Sequence, residues 1–161
     1  MKKLLKSTTG FSLVELLLVI ALFALLFSAS TVVFGALASR QSLQTEGERV
    51  VQTLREARTY ALSQRLDSAW GVYLDTASDP QAFILFKGSS YAGRDAAYDQ
   101  VNALFPSVHY GALNLGGAFE IVFSKRTGSA LTSGTFELAT EDVLTVSVNP
   151  LGFIDYVSPE F

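Results

Sequence analysis

Glu15 is the residue in this chain whose position most demands a chemical explanation. It stands just inside an apolar stretch, where a carboxylate costs about 2.5–3.5 kcal/mol on membrane-insertion scales. The helical neighbours three and four places away are Phe11, Ser12, Leu18 and Val19, so no cation on its own face can pair with it. Its partner has to come from headgroup water or from another chain. Other groupings invite chemistry less strongly. His109 is the only histidine, which excludes a histidine metal cluster, and no G-x-S-x-G nucleophile motif accompanies it. Asp95 and Asp99 are spaced one helical turn apart and Glu141-Asp142 form an acidic turn. Neither pair supplies the six to eight oxygens that calcium takes, so both read as solvated acids. The stretch Gly88-Ser89-Ser90-Tyr91-Ala92-Gly93 lacks the lysine of a phosphate loop and does not open a helix after a strand, so it predicts no nucleotide site. The chain has no cysteine, hence no disulfide, thiolate site or cysteine nucleophile. No catalytic constellation emerges, and neither a metal nor a cofactor is expected.

The elements around Glu15 are legible. Lys2, Lys3 and Lys6 precede it without an acid, and from Leu16 to Ser39 there is no charged residue and no proline. As a helix this run is roughly 36 Å long, enough to cross a hydrocarbon core of about 30 Å. The lysines keep the N-terminus cytoplasmic and send the rest across. A cleaved secretory signal has an apolar region of about 7–15 residues followed by a small-residue site. Here the run is longer and Ser28-Ala29-Ser30 matches such a site poorly.

Nothing stops the helix at Arg40. Gly35 and Gly47 weaken it by roughly 1 kcal/mol each and read as flexible points. In Gln41–Leu66 an apolar stripe of Leu43, Val50, Leu54, Ala57, Ala61 and Leu62 faces a polar side of Glu46, Glu48, Arg49, Gln52, Arg55, Glu56 and Arg65. One helix from about Phe11 to about Leu66 is predicted. After Asp67 the period becomes two. Strands are expected at Trp70–Asp75, Ala82–Lys87, Val108–Tyr110, Gly117–Ser124, Thr135–Ala139, Val143–Asn149 and Phe153–Val157, with Trp70 and the phenylalanines as core. Gly88–Asn102 reads as a long loop with helix around Arg94–Leu104. The fold class is α+β, a long N-terminal helix packed on an antiparallel sheet or small β-sandwich.

The order of basic leader, Gly10-Phe11-Ser12-Leu13-Val14-Glu15 and long apolar helix resembles the class III signal of type IV pilins and type II secretion pseudopilins. The resemblance is close over Gly10–Leu66. More loosely, the stem Leu54-Arg55-Glu56-Ala57-Arg58-Thr59-Tyr60-Ala61 and the strands and glycine turns from Glu120 to Ile154 look like the GspH/FimT minor pseudopilin group. The calcium-loop pattern of major pseudopilins and the paired cysteines of many major pilins are not seen.

The resemblance implies that prepilin peptidase, a membrane aspartic enzyme, cuts between Gly10 and Phe11, and that the new N-terminus at Phe11 is N-methylated. Residues 1–10 would then be a leader, 11–39 a transmembrane and filament-core helix, 40–66 its amphipathic continuation and 67–161 a β-rich domain. Glu15 would meet the amino terminus of Phe11 on a neighbouring subunit. The protein would be a single-pass inner-membrane protein with a periplasmic or extracellular C-terminal domain. Its partners would be the peptidase, other pilin-like subunits and an inner-membrane assembly platform.

The expected role is a non-enzymatic filament subunit of the minor pseudopilin kind, in secretion or pilus assembly. A major type IV pilin and a DNA-uptake minor pilin remain as alternatives. From Arg40 onward nine Lys/Arg stand against fourteen Asp/Glu, with no Lys or Arg after Arg126. Nucleic-acid binding needs clustered cations, so none is expected.

Overall fold

A computed structural model describes residues 11–158; within them, the side chains of residues 28–36 are not described. The long helix α1 spans Leu13–Leu62. The chain divides into two compact units, residues 1–37 and residues 38–161.

In the first unit, every residue from Phe11 to Phe27 is exposed. This fits a sequence that is apolar all round the helix and so has no face to turn toward a core of its own.

The second unit begins within α1. Leu43, Val50, Val51, Leu54, Ala57 and Ala61 are buried at three- and four-residue steps and belong to one apolar core with residues of both sheets. The helix ends earlier than the predicted Leu66. Gln64, Leu66 and Asp67 adopt left-handed backbone conformations, and Arg65–Asp67 form a short 3₁₀ turn. The Arg126 N–H donates to the Ala61 carbonyl at 3.0 Å, and Trp70 Nε1 donates to the Arg65 carbonyl at 3.1 Å. The distant Arg126 N–H thus meets a carbonyl of the last helical turn, while the Trp70 indole ties down the 3₁₀ turn after it.

The remainder forms two four-stranded antiparallel sheets. The first has strand order β3-β2-β1-β5, with β1 Trp70–Asp75, β2 Ala82–Lys87, β3 Asp95–Ala103 and β5 Glu120–Phe123. The second has order β4-β6-β7-β8, with β4 His109–Asn114, β6 Gly134–Ala139, β7 Val143–Val148 and β8 Ile154–Val157. Trp70, Val72, Leu74, Phe83, Leu85, Ile121 and Phe123 from the first sheet meet Phe136, Leu138, Leu144, Val146 and Val148 from the second in the same core. The α+β class holds, and the sheet is doubled.

The segment expected to be loop and helix is the strand β3, and this is the main correction to the sequence reading. It pairs with β2 in the register Ala82↔Ala103, Phe83↔Asn102, Ile84↔Val101 and Leu85↔Gln100, with a shift before Lys87↔Asp95. Its alanines and Gln100 favour helix locally, but the apolar strand β2 offers a full row of backbone partners, and pairing outweighs propensity. Asp95 and Asp99 therefore do not share a helical face. Asp95 pairs with Lys87 at 3.2 Å and Asp99 with Arg94 at 2.7 Å. The remaining strands lie within a few residues of expectation; β4 runs on to Asn114 and β5 starts only at Glu120.

Two helix positions also differ from expectation. Glu46, placed on the polar side by its type, is fully buried. Its Oε1 accepts from Arg49 Nη1 at 2.6 Å and from the Phe105 N–H at 3.2 Å, while the Arg49 guanidinium lies over the Phe83 and Phe105 rings. The pairing and the backbone donor offset part of the cost of burying a carboxylate, whose Oε2 has no hydrogen-bond partner among the described residues. Gly47 is a contact point rather than a flexible one: a Cβ built there would lie 2.5 Å from Leu144 Cδ1. The absent side chain lets the helix approach β7.

Candidate assembly site at the helix start

The start of α1 carries the residues that the sequence singled out. Ser12 precedes the first helical residue, and its Oγ accepts the Glu15 N–H at 3.2 Å. The Ser12 carbonyl accepts the Leu16 N–H at 3.1 Å, closing the first helical turn. Ser12 is thus the N-cap and Glu15 the third helical residue, the spacing S-x-x-E of a capping box. The carboxylate also sits at the positive end of the helix dipole, a favourable place for it. This local role was visible in the sequence and was not drawn from it. The Ser12 cap and the place of Glu15 at the dipole's positive end both favour a helix beginning at Leu13.

Phe11 and Glu15 are both exposed, and the apolar side chains of Leu13–Phe27 around them are exposed too. Gly10 and the leader lie outside the described residues, as does Glu160. Among the described residues no helix is long and apolar enough to cross a membrane. The uncharged run read from the sequence continues through residues 28–36, whose side chains are not described.

The other candidates take structural places. His109 opens β4 and is exposed, and Trp70 is core. The Gly88–Gly93 stretch folds into a turn where Tyr91 stacks on Tyr73 at 3.9 Å between ring centres, under the Arg94 guanidinium. The Tyr91 N–H donates to Glu120 Oε2 at 2.5 Å. Asp142 accepts from Arg40 Nε at 2.7 Å. Among the described residues no group of three or more His, Asp or Glu side chains is placed to hold a metal ion. Two phenols deserve note for their ionisation. Burial pushes Tyr110 far above its ordinary pKa, helped by the nearby charges of Asp75 and Glu46. Tyr60 is raised first by its hydrogen bond to Glu56.

Residues 5–31 match the family described as the prokaryotic N-terminal methylation motif. The fold is similar to that of the type IV minor pilin FimU of Pseudomonas aeruginosa (strain PAO1) in two crystal forms. One shows 20% identity and a TM-score of 0.57, covering 73% of this chain and 90% of that one. The other shows 21% identity and a TM-score of 0.53, covering 71% and 92%. No curated protein matches the chain. The molecule thus joins a prokaryotic N-terminal methylation motif to an α+β fold similar to that of a type IV minor pilin.

Proposed function

We propose that this chain is a structural subunit of a type IV pilus-like or type II secretion filament, of the minor pseudopilin kind found in the GspH/FimT group. The observation that carries the reading is the coincidence of motif and surface: within residues 5–31, which match the methylation motif, the helix is exposed and apolar on every side from Leu16 to Phe27. A surface of that kind needs lipid or neighbouring helices to cover it, and the membrane and then a filament core supply these in turn. In this reading prepilin peptidase cuts after Gly10 and Phe11 becomes the methylated N-terminus. Residues 11–39 hold the subunit in the inner membrane with its N-terminus cytoplasmic, before an assembly platform moves it into the filament. The Glu15 carboxylate meets the amino terminus of a neighbouring subunit and sets the axial register. The fold's likeness to a minor pilin supports the minor role.

Intact mass measurement of the membrane-derived protein tests the processing step. A chain beginning at Phe11 with one added methyl group is the expected product, and Gly10→Val is expected to block the cut. A mature start near Ser30, or retention of Met1, refutes the reading.

A further inference from the structure

A cleft of about 260 Å³ lies between the last turns of α1 and the start of β8, lined by Arg55, Arg58, Thr59, Leu62, Phe153 and Ile154, with Gly152 at its edge. Its two arginines are one helical turn apart, and among the described residues no carboxylate lines it. Five other cations of this domain are matched: Arg40, Arg49, Lys87, Arg94 and Lys125 each sit against an aspartate or glutamate. Arg58 is held by neutral groups, donating to the Gly128 carbonyl at 3.3 Å and the Leu151 carbonyl at 3.5 Å with its guanidinium over the Phe153 ring. Arg55 is exposed, and its guanidinium makes no hydrogen bond or ion pair among the described residues. The rim is apolar: Leu62 is 41%, Phe153 59% and Leu151 66% exposed. A guanidinium pair inside an apolar rim suits a carboxylate carried next to an apolar side chain.

The same domain presents such a group elsewhere. The β6–β7 turn exposes Glu141 beside Val143, which is 47% exposed, and its Asp142 is tied to Arg40. From Arg40 to Arg58 the helix rises about 27 Å, so the acidic turn and the basic cleft lie near opposite ends of the domain's part of α1. Two different, complementary patches on one molecule make a heterologous contact, which joins one copy to the next without a two-fold axis.

We infer that the Arg55–Arg58 cleft is a docking site for the β6–β7 turn of a second copy of this chain, with Glu141 entering between the guanidiniums and Val143 packing on the apolar rim. The inference rests on the filament reading above; a low-abundance subunit can still occupy adjacent positions. Charge complementarity of this kind sets register and partner choice at an interface.

Because the chain has no cysteine, an introduced pair reports the contact without background. Two differently tagged full-length copies, one Thr59→Cys and the other Val143→Cys, are expressed together in cells that assemble the filament, and sheared filaments are oxidised. A disulfide between the two tags is expected. Adding Arg55→Glu to the first copy should lower its yield about tenfold, the size of one reversed charge pair. Arg55→Gln should give a smaller loss, and Glu141→Lys in the second copy should restore the Arg55→Glu pair. The docking inference is overturned if both copies enter filaments without forming the bond, if the bond is indifferent to Arg55→Glu, or if the cleft cysteine joins a different protein. If the unmodified chain never enters sheared filaments, the filament reading itself fails, and the docking inference with it.

Discussion

Replacing Gly47 with alanine is expected to destabilise the globular unit, although helix propensity alone says the opposite. An alanine in the helix interior gains about 1 kcal/mol over glycine. The packing term runs against it. The new Cβ would lie 2.5 Å from Leu144 Cδ1, 3.1 Å from Cδ2 and 3.4 Å from Cγ. Carbon atoms rest at about 3.5–4.0 Å, so helix and strand must part or Leu144 must leave its rotamer. Leu144 is fully buried within the common core, and overpacking there costs about 1–3 kcal/mol. The net expectation is a loss of about 1 kcal/mol. Residues 38–161 form one compact unit, so the measurement is urea unfolding of that fragment. The decisive control is Leu144→Ala, which costs about 2–5 kcal/mol by itself but deletes all three clashing atoms. In that background Gly47→Ala should become stabilising by up to about 1 kcal/mol, a coupling of about 2 kcal/mol between the sites. Stabilisation by Gly47→Ala in the unaltered fragment, or simple additivity, would refute the close-approach argument.

Other substitutions probe the core, the ionisable groups and the assembly site. Leu54→Asp in the same fragment should abolish the cooperative melt, because it places an unpaired charge at a fully buried position; an unshifted transition would show that this face is not core. Glu46→Ala should cost about 1–3 kcal/mol by leaving the Phe105 N–H without its acceptor, and Glu46→Gln, which keeps a carbonyl oxygen there, should cost less; equal losses would remove the hydrogen bond from the account. Tyr110 is raised by burial, so the folded state keeps its proton where the unfolded chain releases it. That contribution is whole below about pH 10 and is lost as pH rises above it. Alkaline titration followed by phenolate absorbance should show one tyrosine ionising only as the fragment unfolds, and Tyr110→Phe should remove that late step. Glu15→Leu should still insert in the membrane, since the insertion cost falls, yet lose to the unaltered subunit in a filament-incorporation competition; equal incorporation would reject the pairing role.

The local sequence determined much of this protein. Three lysines, the Gly10–Glu15 spacing and an uncharged run define the N-terminal element without reference to anything distant. The three- and four-residue recurrence of Leu43, Val50, Leu54, Ala57 and Ala61 places the buried face of α1, because a helix makes its neighbours from local spacing. Period two placed Trp70–Asp75 and Ala82–Lys87 at their observed bounds. Even Glu46 was partly legible: it stands three residues after Leu43 and four before Val50, on the buried stripe, and only its residue type argued for the surface.

Tertiary structure decided the rest, and in each case the missing information belonged to a distant partner. Asp95–Ala103 is a strand because β2 pairs with it, against its own composition. Gly47 matters because Leu144, nearly a hundred residues on, occupies the space a Cβ would need. Arg55 and Arg58 look like ordinary members of a charged helix face until the turn before β8 folds beside them and leaves two guanidiniums in a cleft with no carboxylate among the described residues. Local periodicity sets which face of an element is apolar, while only the folded chain determines what stands opposite that face and whether a polar group there finds a partner.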